Sequence, residues 1–139
     1  MVDETYYLTA IGHSHLDPVW LWPIRETKRK AVRTFANQIK NLSKYPGYIY
    51  GASQPQQCAW LKKSHPLIYK RLQELVKQGV VEFQGGFWVE PDTNLPSGES
   101  LVRQAIYGKR FFKEEFGEDM RLCWLSDAFG YNANLPQIL

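Results

Sequence analysis

The chain has 139 residues, 44% of them hydrophobic and 22% charged, the make-up expected of one soluble globular domain. Seventeen Lys and Arg against fourteen Asp and Glu leave a net charge of +3, with no basic stripe or stacking platform of the kind nucleic acid requires. No apolar run approaches membrane-spanning length, no basic-then-apolar leader opens the chain, and Cys58 and Cys123 lack metal or redox spacing, so both are expected as core thiols in a cytoplasmic setting.

Taken in order, the chain alternates strand and helix. Tyr6-Tyr7-Leu8-Thr9-Ala10-Ile11 reads as a buried strand. His13, Ser14, His15, Leu16, Asp17 and Pro18 follow at its carboxyl end, with Trp20 three residues after the carboxylate. Alternate residues of extended chain share a side, so His13, His15 and Asp17 point one way if extension persists, and Pro18 favours extension at Asp17. Imidazole and carboxylate at one strand end form a partial zinc site in chemical type, and these three candidates alone leave the metal open.

Arg25 to Leu42 reads as a helix with Ala31, Phe35, Ile39 and Leu42 on one face and Lys28, Arg29 and Lys30 in a solvated basic run. Tyr45-Pro46-Gly47 breaks it, and residues 48–52 resume as a short strand. A helical stretch over 56–63 is followed by a second helix that opens at Ser64-His65-Pro66, buries Ile68, Leu72, Leu75 and Val76, and is closed by Gly79. His65 is expected at the surface. Residues 80–84 read as a third strand, ending in Gly85-Gly86.

The following loop carries Phe87, Trp88, Glu90, Pro91, Asp92 and Asn94. Asp92 has the alternative task of capping the turn with Asn94, and Glu90 that of pairing with an Arg. Ser97 is a good N-cap, Glu99 suits the first turn, Leu101, Ala105, Phe112 and Phe116 line one side of the next helix, and Gly117 ends it. A fourth strand is expected over 120–125, delivering Ser126-Asp127-Ala128-Phe129-Gly130. Repeated strand–helix–strand units predict an α/β fold with right-handed crossovers and a parallel sheet. Parallel strands present their carboxyl ends on one rim, where ligands bind in such folds. Asp17, the 88–92 loop and Asp127 are therefore expected to converge there.

Three phrases in this order, His13-Ser14-His15-Leu16-Asp17-Pro18-Val19-Trp20, Gly85-Gly86-Phe87-Trp88-Val89-Glu90-Pro91-Asp92 and Asp127-Ala128-Phe129-Gly130, resemble the amino-terminal catalytic region of glycoside hydrolase family 38 α-mannosidases. Asn94-Leu95-Pro96-Ser97-Gly98-Glu99 and Leu135-Pro136-Gln137-Ile138-Leu139 are similar to the cytosolic and bacterial branch. The resemblance implies an irregular β/α barrel of parallel strands, of which residues 1–139 are the first part. It implies one zinc ion held by His15, Asp17 and Asp127, with Asp127 also the catalytic nucleophile. Trp20 then matches the aromatic floor beneath the sugar ring, and Phe129 borders the same subsite. His13, Trp88 and Asp92 are left as candidates for supporting positions around the site, and direct substrate contact by Trp88, Glu90 or Asp92 stays open beside their structural tasks. Ser126 departs from the residues more common before the nucleophile.

The activity implied by the resemblance is retaining hydrolysis of terminal α-D-mannosidic linkages in glycans. Its partners would be the α-mannoside oligosaccharide and the rest of the same polypeptide, with neither nucleic acid nor membrane involved. The family's fourth zinc ligand and its acid/base aspartate lie downstream of position 139. A closed barrel takes about 250 residues, so this stretch alone is expected to be inactive and to hold metal weakly. Two other readings stay open: a metal-dependent carbohydrate deacetylase, and a non-catalytic sugar-binding domain on the same fold. No second pair of histidines at helical spacing supports the former, and the presence of Asp17 and Asp127 counts against the latter.

Overall fold

The fold was obtained as a computed structural model, which describes residues 5–139. A three-stranded parallel sheet runs in the order β1 (Gly12–His13), β2 (Tyr50–Ala52), β3 (Val81–Phe83). Gly12 pairs with Tyr50 and His13 with Gly51 on one side of β2; Tyr50, Gly51 and Ala52 pair with Val81, Glu82 and Phe83 on the other. Parallel neighbours need long crossovers. Helix α1 (Ile24–Lys44) makes the first of these, and α2 (Pro55–Ser64) with α3 (Pro66–Lys77) makes the second. Helix α4 (Gly98–Phe116) and the short α5 (Leu135–Ile138) follow β3.

The helices form where local chemistry favours them. Thr27, Ala31 and Phe35 recur at helical spacing on the buried face of α1, with Glu26 in its first turn and Lys44 in its last, each sign matching the helix dipole. Both α2 and α3 begin on a proline, whose missing N–H costs nothing at a first helical position. His65, exposed as expected, lies between them. Ser97 caps α4 by accepting a hydrogen bond from the Ser100 N–H at 3.2 Å. The main core joins the helices to the sheet through Phe35, Tyr50, Leu61, Leu72, Val81, Phe83 and Phe112. Phe83 and Phe112 meet at a centroid separation of 4.5 Å.

Two expected strands are absent among the described residues. Tyr6, Tyr7 and Leu8 are exposed, and pairing begins only at Gly12, whose N–H donates to the Ile49 carbonyl at 3.1 Å. The reason lies in β2. Its upstream residues are spent on the turn after α1, where the Tyr48 N–H donates to the Tyr45 carbonyl at 3.2 Å, so residues 6–11 have no neighbouring strand to join.

Residues 120–125 run without a ladder to β3. Gly85, at φ +79°, turns the chain away two residues after that strand ends, and a Cβ there would stand 2.9 Å from the Trp124 Cβ. The two segments therefore meet as a crossing rather than as paired strands. Met120 and Leu125 are nonetheless buried. Cys58 is a core thiol, whereas Cys123 is exposed, contrary to expectation, because the unpaired 120–125 run turns that side chain out of the core.

Candidate active site

Three chain segments meet beyond the carboxyl ends of the strands. Residues 14–17 leave β1 and are held from beneath by buried polar side chains. Gln54 and Gln57 each donate an amide N–H to the Leu16 carbonyl, at 3.0 and 3.3 Å. The buried Thr27 of α1 donates its hydroxyl to the Asp17 carbonyl at 3.1 Å and accepts the Trp22 indole N–H at 2.8 Å. The 87–95 segment is fastened to α4 by the Trp88 N–H, which donates to the Gln104 carbonyl at 2.9 Å, and by the Val89 N–H, which donates to the Gln104 side chain at 3.0 Å. The 126–131 segment is held through Thr93, whose hydroxyl donates to the Gly130 carbonyl at 3.3 Å and accepts the Asn132 N–H at 3.0 Å.

His15 stands at the centre. Its Nδ1 donates to Glu90 Oε2 at 2.8 Å, while Nε2 faces Asp17 Oδ1 at 3.0 Å and Asp127 Oδ2 at 4.0 Å. Burial pulls the His15 pKa down, but hydrogen bonds to Asp17 and Glu90 and the two negative charges outweigh it, and the net direction is up. His13 behaves oppositely. Burial, reinforced by His15, holds it below the usual histidine value despite the Glu90 charge. Its ring lies 5.1 Å from that of Trp124, and its buried Nε2 has no hydrogen-bond partner among the described residues.

Asp17, Trp20, Asp127 and Phe129 line one cleft. The Asp127 side chain is 70% exposed and open to a ligand. Trp20 and Phe129 stack beside it with centroids 5.8 Å apart and planes 21° from parallel. Asp127, His15 and Asp17 thus lie together, next to an aromatic wall.

The other candidates sit elsewhere. Trp88 donates its indole N–H to Gln56 Oε1 at 3.0 Å and packs edge-on against Phe111, between helices. Asp92 Oδ1 accepts the Asn94 and Leu95 N–H groups at 2.7 and 2.9 Å, which makes it a turn cap. Glu90, expected to find an Arg, instead bonds to His15, to the Ser53 hydroxyl and to the Ser126 N–H and hydroxyl, the last two at 3.2 Å. Its side chain is only 3% exposed. Sequence reasoning passed over Ser53, Gln54, Gln57, Thr27 and Thr93. The one available signal was polar residues just past strand ends or on an apolar helix face.

The donor set suits zinc, which takes imidazole nitrogen and carboxylate oxygen. At tetrahedral zinc, neighbouring donor atoms lie about 3.3 Å apart by the usual bond lengths, and the 3.0 and 4.0 Å separations from His15 Nε2 straddle that value. Among the described residues, no group of three His, Cys, Asp or Glu is arranged around a metal position. Metal-binding histidines commonly give their other N–H to a carboxylate, as His15 gives Nδ1–H to Glu90.

Fold and site together define a parallel α/β domain with a carboxylate-lined cleft at one rim of its sheet. The chain belongs to glycosyl hydrolases family 38, whose N-terminal domain matches residues 6–139. It is 44% identical over 137 residues to Alpha-mannosidase 2C1 of Homo sapiens, covering 99% of this chain and 13% of that protein. It is 46% identical over 130 residues to Alpha-mannosidase G of Dictyostelium discoideum, covering 94% of this chain and 12% of that protein. The chain therefore spans only about an eighth of the curated relatives it matches. Its fold is that of an α-mannosidase crystal structure from Enterococcus faecalis V583, with a TM-score of 0.81 at 23% identity over 91% of this chain and 14% of the other.

Proposed function

We propose that this chain is the amino-terminal part of the catalytic domain of a retaining, zinc-assisted α-mannosidase acting on terminal α-D-mannosides of glycans. The observation that carries the reading is the cluster at His15. An imidazole nitrogen faces the carboxylates of Asp17 and Asp127 at 3.0 and 4.0 Å, beside the Trp20–Phe129 stack. Identities of 44 and 46% to proteins named as α-mannosidases support the activity class.

In this reading His15, Asp17 and Asp127 hold the zinc. When bound, it would supply positive charge that grips and orients sugar hydroxyls and so helps hold the ring in a geometry close to the oxocarbenium-like transition state. Trp20 and Phe129 offer the ring an apolar wall. Asp127 attacks the anomeric carbon; a carbon–oxygen bond to its carboxylate forms as the glycosidic bond breaks, and water later releases the sugar. Such chemistry needs a second carboxyl about 5–5.5 Å from the nucleophile as acid/base, which we assign to polypeptide outside residues 1–139, together with a further metal ligand. There the three-stranded sheet extends into an irregular β/α barrel. The same reading places the protein in the cytoplasm, in keeping with a sequence whose two cysteines lack the spacing of a disulfide framework.

The test is an aryl α-mannoside assay of the full-length protein, with and without chelator, alongside Asp127→Ala. Chelator-sensitive turnover lost by about three orders of magnitude or more in the variant is expected for a nucleophile. Full activity in Asp127→Ala would place the nucleophile elsewhere. An inactive wild-type protein would overturn the assignment to α-mannosides.

A further inference from the structure

Glu90 lies outside the set of residues assigned to metal or substrate, yet it is the most buried carboxylate of the cluster. One oxygen, Oε2, accepts the His15 Nδ1–H at 2.8 Å and both the N–H and the hydroxyl of Ser126 at 3.2 Å. The other, Oε1, accepts the Ser53 hydroxyl. Each partner sits on a different segment. His15 follows β1, Ser53 follows β2, and Ser126 immediately precedes Asp127. Glu90 thus ties the two parts of the cleft to each other and to the sheet.

A neutral amide could bracket three loops equally well. A carboxylate at 3% exposure costs several kcal/mol in desolvation unless positive charge lies close by. Among the described residues the sole basic side chain ion-paired with Glu90 is His15, with neither Lys nor Arg in reach. The buried charge is therefore spent on the imidazole. With its Nδ1–H committed to Glu90, His15 presents Nε2 to Asp17 and Asp127, and electron density pushed from the carboxylate makes that nitrogen a better donor to a cation.

On the reading of the site given under Proposed function, we propose that Glu90 is the positioning residue of this active site. It fixes which His15 nitrogen faces the metal and sets the spacing between the His15–Asp17 and Ser126–Asp127 segments. It touches neither substrate nor metal. Asp17 and Asp127 do the binding, and Glu90 determines where His15 and Asp127 stand.

The experiment follows zinc rather than turnover. Full-length protein, Glu90→Gln and Glu90→Ala are loaded with zinc, and transfer of the metal to a chromogenic chelator is timed, with melting temperature recorded in parallel. Loss of a hydrogen-bonding partner of a metal-bound histidine costs about 10–100-fold in metal affinity, so Glu90→Ala is expected to release zinc faster by that factor. Glu90→Gln can still accept from Nδ1 through its amide oxygen and donate to Ser53, so it should fall between the other two. Bracing alone is separated by comparison with Thr27→Val, which loosens the same loop without touching His15: for equal falls in melting temperature, Glu90→Ala is expected to release zinc faster than Thr27→Val, and equal release rates overturn the role. If Glu90→Ala does not fold, Glu90→Gln and Ser126→Ala carry the comparison. A wild-type protein that retains zinc, with variants releasing it within twofold of wild type, overturns the role of Glu90 alone. A wild-type protein that takes up no zinc overturns the metal reading and this role with it.

Discussion

The Cα of Gly108 in helix α4 presses against the backbone of Gly86. A Cβ at position 108 would stand 2.2 Å from the Gly86 carbonyl oxygen and 2.7 Å from the Phe87 carbonyl carbon. Real side chains do not come that close, so only glycine lets α4 approach the segment that carries Glu90. The same approach brings the Trp88 N–H within 2.9 Å of the Gln104 carbonyl. Helix packing here determines the position of a site loop.

Gly108→Ala is therefore expected to destabilise the domain. Forcing a methyl group against backbone costs about 1–3 kcal/mol or more, well above the small gain in helix propensity from alanine, on the order of 1 kcal/mol. A lowered urea midpoint is the expected result. An unchanged midpoint would mean that α4 slides freely along residues 86–88.

Thr27→Val is isosteric and removes one hydroxyl. That hydroxyl serves two partners, the Trp22 indole and the Asp17 carbonyl, at a fully buried position. Leaving buried groups unpaired costs about 1–3 kcal/mol, so the melting temperature should fall. Because one partner is the main chain of Asp17, zinc release should quicken as well, whereas a Ser at this position should restore both properties.

Trp20→Ala removes half of the stacked pair with Phe129. Aromatic stacking contributes on the order of 1 kcal/mol, so kcat/KM for an aryl α-mannoside should drop roughly 5–10-fold or further. Trp20 is half exposed, and its loss should leave the melting temperature close to that of the wild type. A steep fall in stability with unchanged kinetics would make it a packing residue instead.

Far from the cleft, Glu115 accepts from Lys62 Nζ at 2.5 Å and from the Tyr69 hydroxyl at 2.8 Å. Burial pushes its carboxyl up, but the bonds from Lys62 and Tyr69 and the lysine charge outweigh it, so the folded pKa lies below the ordinary glutamate value. A carboxyl depressed on folding contributes stability above its unfolded pKa, and this is lost as pH falls from that value through the folded one. Glu115→Gln should thus melt below the wild type at neutral pH, with the gap closing under acid conditions below the usual carboxylate range. A gap that stays constant between neutral pH and strong acid would rule out the charge as its source.

Much was legible without coordinates. Helical periodicity with prolines at helix starts, Ser97 as a cap and Gly117 as a stop placed α1, α3 and α4 close to their observed bounds. These signals are local, carried by residues a few positions apart that act on one another directly. Asp17 and Asp127 do converge, as expected, but Asp127 arrives on a segment that is not a strand, held to its neighbours by Thr93 and Glu90 rather than by a ladder. Strand extent was not legible. Residues 6–11 and 120–125 have good β composition, but a strand exists only where a neighbour offers hydrogen bonds, and the turn at 45–48 and the bend at Gly85 withhold them.

The same division separates the side chains of the site. His15, Asp17 and Asp127 announce themselves as residue types in a motif. Ser53, Gln54 and Thr27 carry no such mark, and Glu90 lies in a motif that does not reveal its task, because their roles depend on partners distant in sequence, as Ser53 and Glu90 are 37 positions apart. Sequence alone determined the main helices, their order and the chemical groups that the chain carries. Tertiary structure alone decided which carboxylate stands behind His15 and which merely caps a turn, because burial and hydrogen-bond partnership arise only when separate segments are packed against one another.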